Sequence, residues 1–153
     1  MTALDLFDEA ATAAFAARLA AAAAPGDVIA LGGPLGAGKT VFARAFIAAR
    51  GGTESVPSPT FTLAQTYDLP GGAVWHFDLY RLKHPEEAWE LGIEDAFHDG
   101  ISLIEWPERL GSLLPARRLA IALEFGAAAT ARRATLSAGG DWPARLAGIA
   151  AAG

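Results

Sequence analysis

The chain of 153 residues has no cysteine, which excludes disulfides, thiolate zinc sites and cysteine nucleophiles. Positive charge is scarce as well: 12 Lys and Arg stand against 17 Asp and Glu, for a net charge of −5. No basic run is longer than the pairs Arg117-Arg118 and Arg132-Arg133. A protein that grips nucleic acid unaided usually carries a basic face, so direct, tight nucleic-acid binding is not expected. Long apolar runs are missing too. No window approaches the roughly 18 apolar residues of a membrane span. The alanine-rich start carries Asp5, Asp8 and Glu9 where an export signal needs positive charge, and Arg18 interrupts it. A cytoplasmic protein without membrane contact is expected. Alanine inflates the 52% hydrophobic content, so the core must rest on Leu, Ile, Val, Phe and Trp. The length suits one domain spanning residues 1–153.

Lysine is rarer still: Lys39 and Lys83 are the only two, against ten arginines. The first of them lies in Gly33-Pro-Leu-Gly-Ala-Gly-Lys-Thr40, which fits the phosphate-binding pattern G-x-x-x-x-G-K-[ST]. Glycines let the backbone wrap an oxyanion so that successive N–H groups converge on it. The helix that follows adds its positive dipole end at the same point. Lys39 is placed to reach the β- and γ-phosphates of a nucleotide, and the Thr40 hydroxyl to ligate magnesium. The flanks agree with this: residues 27–31 form an apolar run of strand type, and residues 41–49 continue with helical spacing.

Further along, residues 2–7 alternate weakly, as an edge strand does, and Asp8 is a candidate N-cap for a helix to about residue 24. Residues 60–67 and 74–78 read as strands around a Pro-Gly-Gly turn. Pro85 opens a short helix that Gly92 stops. Residues 101–105 form a buried strand, residues 119–125 and 133–137 a further pair, and residues 142–151 a terminal helix. The count gives an α/β layer fold with a mixed sheet, parallel near the phosphate loop and hairpin-connected elsewhere.

A magnesium-dependent site also needs acids at the ends of neighbouring strands. Asp78 ends one strand and Glu105 another, so each is a candidate metal ligand or water-orienting group. Thr60, in Ser58-Pro-Thr-Phe61, sits where a switch segment would contact magnesium or the γ-phosphate, or where a stiff edge turn would lie. Arg81 is either a phosphate-binding cation or a surface charge. His76, His84 and His98 lack metal-ligand spacing and read as structural. Trp75, Trp89 and Trp142 read as packing residues, while Trp106, next to Glu105, is expected near a nucleotide or on a partner surface.

Together, GPLGAGKT, SPTFT, HFDLYRL and IEWPE, in this order, resemble the TsaE (formerly YjeE) family of small bacterial ATPases needed to make threonylcarbamoyladenosine in tRNA. The likeness runs from about Thr12 to Leu123. It implies a P-loop fold with a mixed sheet, ATP and Mg²⁺ as ligands, and work inside an assembly with TsaB and TsaD. In that assembly TsaD transfers the threonylcarbamoyl group, and ATP hydrolysis drives or resets the complex. Carried over, the loop residues Pro34, Leu35, Gly36, Ala37 and Gly38 bind nucleotide together with Lys39 and Thr40. Glu105 and Asp78 match the family's acids, Thr60 its switch threonine, and Thr12 its N-terminal nucleotide-contacting threonine. Arg132, with Arg133 beside it, corresponds to an arginine near the nucleotide. Pro34 and Val41 depart from the family pattern at side chains that phosphate binding does not use. The resemblance also implies weak hydrolysis without partners. Two other classes remain open at this level: a small P-loop phosphotransferase, and a non-catalytic module that senses ATP.

Overall fold

The computed structural model describes residues 2–52 and 63–152. Among these residues seven strands form one sheet: β1 (Thr2–Leu6), β2 (Val28–Gly32), β3 (Ala64–Leu69), β4 (Gly72–Asp78), β5 (Ile101–Glu105), β6 (Leu119–Phe125) and β7 (Arg132–Ala138). Their spatial order is β1-β7-β6-β2-β5-β4-β3. The central strands β6, β2, β5 and β4 are parallel, whereas β1, β7 and β3 pair antiparallel with their neighbours. Helices α1 (Glu9–Ala22), α2 (Lys39–Ala49), α3 (Ile93–Asp99) and α4 (Trp142–Ala152) flank the sheet. The mixed sheet with flanking helices is the architecture that the element count predicts.

Local chemistry explains the ends of these elements. Asp8 caps α1 by accepting a hydrogen bond from the Ala11 N–H at 2.8 Å. Residues 28–31 of β2 are buried on both faces, which is why they read as a continuous apolar run without alternation. On one face α1 and α2 close over the sheet, with Phe15, Leu19, Phe42 and Phe46 packed against Ile29, Leu31, Leu103 and Ile121. On the other face Phe77, Leu79, Ile93, Ile104 and Leu110 form a second cluster. Each such side chain stabilises the fold by about 1.5–3 kcal/mol when fully buried.

Three features differ from the sequence reading. Gly92 ends a 3-10 segment (Pro85–Leu91) as expected, but the chain re-enters a helix at once as α3. A second 3-10 segment, Pro107–Leu113, follows β5. Gly92 sits at φ 82°, and a Cβ there would meet the Trp75 ring at 3.0 Å, so this glycine joins two helical turns over an indole. The physical reason for the extra helix is topological. β4 and β5 are parallel, and a parallel pair needs a crossover of a dozen or more residues. Trp89, expected in the core, is 46% exposed; it lies on the outer side of its short 3-10 segment, which buries only Ala88.

Candidate functional site

The carboxyl ends of β2, β5 and β4 lie side by side, and the register brings the acids to the phosphate loop: Leu31 pairs with Glu105, and Glu105 with Asp78. Gly38 (φ 100°) leads into α2, whose first turn has no side-chain cap. That uncapped N-terminus opens on a cleft of about 310 Å³ lined by Gly36, Gly38, Lys39, Thr40, Asp78 and Glu105, with Leu35, Val41, Tyr80 and Trp106 at its margins. Gly33 (φ 127°) lets the loop pass so close to β6 that a Cβ would lie 2.2 Å from the Leu123 carbonyl oxygen. The donors and acceptors demanded by phosphate and a hard cation therefore converge on one edge of the sheet.

Within the cleft, the Lys39 ammonium donates to the Gly33 carbonyl at 2.5 Å and lies 3.6 Å from the centre of the Trp106 ring. Burial pulls its pKa down, opposed by the charges of Glu105, Glu108 and Asp78. The Thr40 hydroxyl donates to Glu105 at 3.2 and 3.3 Å. Burial also pushes the Asp78 carboxyl up, and the neighbouring Glu105 charge adds to that, while the Tyr80 N–H opposes it. Thr40, Glu105 and Asp78 offer hard oxygen donors, the type that magnesium takes together with phosphate oxygens and water. Among the described residues no three His, Asp or Glu side chains group to hold a metal by themselves.

The other sequence candidates fall in different places. Arg132 reaches back to the loop, donating to the carbonyls of Ala37 (3.0 Å) and Gly36 (3.3 Å), while Arg133 turns away to Asp5. Of this pair, Arg132 is therefore the one at the loop. Thr12 is buried in α1 with its hydroxyl 3.4 Å from the Asp8 carbonyl, and it does not line the cleft. Pro34 borders a neighbouring cleft with Gly33, Trp106, Glu108 and Arg109. Ala37 is fully buried under the loop. Arg81 is exposed and outside the cleft. Ser58 and Thr60 lie outside the described residues.

Trp106 lines the cleft with an unusual backbone: φ is 61°, left-handed, directly before Pro107. Its ring also meets Tyr80, with centroids 4.9 Å apart. Strain of this kind tends to collect at functional sites. Two participants were not anticipated by the sequence reading. Tyr80 lines the cleft. His76, fully buried, has Nε2 2.6 Å from Glu105 Oε2. A signal for His76 existed, since residues two apart in a strand share a face, and His76 is two before Asp78. His84 is exposed, and His98 makes only a solvent-facing pair with Asp99.

Comparison with known proteins places this geometry in a family. The family model described as threonylcarbamoyl adenosine biosynthesis protein TsaE matches residues 6–134. A Rickettsia bellii protein named tRNA threonylcarbamoyladenosine biosynthesis protein TsaE is 44% identical over 121 residues, covering 78% of this chain and 84% of that one. A Bacillus subtilis protein of the same name is 41% identical over 114 residues, covering 74% and 71%. The crystal structure of Bacillus subtilis YdiB superimposes with a TM-score of 0.82 at 32% identity, covering 97% of this chain and 93% of that one. A match of this extent, with the phosphate loop and both strand-end acids in one cleft, shows that the chain belongs to the TsaE family.

Proposed function

We propose that this chain is the Mg²⁺-dependent, ATP-binding and ATP-hydrolysing component of the machinery that makes threonylcarbamoyladenosine in tRNA, working in the cytoplasm with TsaB and TsaD. The observation that carries the reading is the hydrogen bond between Thr40 and Glu105 beside the Lys39 ammonium. It joins the phosphate loop to a strand-end acid across 65 residues of sequence. The uncapped first turn of α2 and the loop glycines would bind the phosphates through backbone N–H groups. Lys39 would leave the Gly33 carbonyl for the β- and γ-phosphates, a short swing for a side chain already inside the cleft. Thr40, Glu105 and Asp78 would hold magnesium, directly or through water, and the ion would neutralise charge developing on the phosphates. Arg132, fixed by the loop carbonyls, supports the loop from the β6–β7 side. The net charge of −5 favours partners that bring the tRNA.

Phosphate release from Mg²⁺–ATP tests this, measured for the chain alone and with TsaB, TsaD and tRNA. Slow turnover that rises in the mixture and vanishes with Lys39→Ala is the expected result. Transfer of label from ATP to a small molecule would point to a phosphotransferase instead. Binding without hydrolysis, alone and in the mixture, would point to a sensor.

A further inference from the structure

His76 has no part in the reading above, yet its surroundings are unusual. It is fully buried on β4, and its Nε2 approaches Glu105 Oε2 to 2.6 Å. Its other nitrogen, Nδ1, is buried with no hydrogen-bond partner among the described residues. The Thr40 hydroxyl approaches the same carboxylate from the loop side. Glu105 is itself almost fully buried, and among the described residues the Thr40 hydroxyl and the His76 imidazole are the side chains that meet its carboxylate in hydrogen-bond contact. A histidine used only to fill space would leave a buried polar nitrogen without purpose, at a cost of about 1–3 kcal/mol. The imidazole is therefore placed for its Nε2 contact.

We propose that His76 is a positioning residue: its Nε2–H donates to Glu105 Oε2, fixing the carboxylate so that Oε1 is presented to the Thr40 hydroxyl and the cleft. This rests on the Mg²⁺–ATP reading of the site. The chemistry is general. A carboxylate that binds a metal is held in orientation by hydrogen bonds from behind, and losing such a partner typically costs 10–100-fold in metal affinity or activity. A bond from Nε2 restrains rotation of the carboxylate about its Cγ–Cδ bond, which Thr40 alone, 3.2 and 3.3 Å from the two oxygens, does not. The register supplies the geometry. His76 pairs with Leu103, two residues before Glu105, so both polar side chains stand on the same face of adjacent parallel strands.

The test has two parts. First, ring-nitrogen NMR of the ¹⁵N-histidine-labelled chain, without nucleotide or metal, reads which nitrogen carries the proton. His76→Gln identifies the signal. A proton on Nε2, with a signal that moves in Glu105→Gln, is expected; an unprotonated Nε2 would overturn the proposal. Second, Mg²⁺ is titrated at saturating ATP, and ATP affinity is measured separately in EDTA. His76→Ala is expected to raise the half-saturating Mg²⁺ concentration or lower turnover by about tenfold or more. Affinity in EDTA should stay within about twofold, and His76→Gln, which puts an amide N–H near the position of Nε2, should recover part of the loss. Equal losses with and without metal, or a half-saturating Mg²⁺ concentration and a turnover both unchanged, would reduce His76 to packing. Should His76→Ala fail to fold, the NMR result and His76→Gln decide. A wild-type chain that binds no nucleotide would sink the Mg²⁺–ATP reading and the role of His76 with it, whatever the ring nitrogens show.

Discussion

Gly33 shows how narrowly one position can be specified. Its φ of 127° lies where side chains are rarely found, and a Cβ would be driven to 2.2 Å from the Leu123 carbonyl oxygen, a backbone atom that cannot swing aside. Gly33→Ala is therefore expected to cost at least about 1–3 kcal/mol, or several degrees in Tm for a chain of this size, and to weaken nucleotide binding because the loop must shift. Thermal unfolding and nucleotide titration of the same sample check both; a variant with unchanged Tm would mean that the loop relaxes freely. Lys39 makes the complementary point. The motif marks it as a phosphate ligand, but its resting partners, the Gly33 carbonyl and the Trp106 ring, belong to the folded site. The ring comes from 67 positions further along the sequence, where spacing gives no hint of the contact.

Among the elements, α4 is held by charge as well as by its apolar side. Arg145 donates from Nη2 to Asp27 Oδ1 at 3.0 Å, bonds Asp27 Oδ2 through Nη1, and also pairs with Asp141 one turn earlier. Its guanidinium lies over the Trp142 ring. Asp27 is buried at the start of β2, so Arg145→Ala leaves a buried carboxylate without its cation. That change is expected to destabilise the chain by about 3–5 kcal/mol, read as a lower urea midpoint. The exposed Asp141 carries a small acid-dependent share. The Arg145 hydrogen bond holds its carboxyl below the ordinary aspartate value of 3.8, so its contribution is present above pH 3.8 and is lost as the pH falls toward the depressed native value. The wild type should lose more stability than Arg145→Ala on acidification through that window. Strands were the most legible elements, since β5 and β6 occupy the residues their apolar patterns mark. α3 was not legible. Its seven residues are too few to display a helical period, and what requires a helix there is the parallel pairing of β4 with β5, which no local pattern announces.

For the molecule as a whole, ligand binding and folding should be linked. If Mg²⁺–ATP occupies the cleft, saturation at 100 times Kd adds about 2.7 kcal/mol, a rise in Tm of about 5–11 °C for a chain of this length. A thermal shift with Mg²⁺–ATP that is absent in Lys39→Ala is the expected outcome; equal shifts in both would place the nucleotide elsewhere. The sequence by itself determined the phosphate loop, the strand before it, the helix after it and the acids at two strand ends. Each of these is written in turn chemistry and periodicity over a few neighbouring residues. Only the tertiary structure decided that β2 lies between β5 and β6, and with that which distant side chains meet. His76 comes to Glu105 across 29 positions, Thr40 to Glu105 across 65, and Arg132 to the loop across 95. Such contacts depend on strand order and register, which are set by the packing of the entire sheet against its helices; local spacing marks at most the face a side chain stands on, not its distant partner.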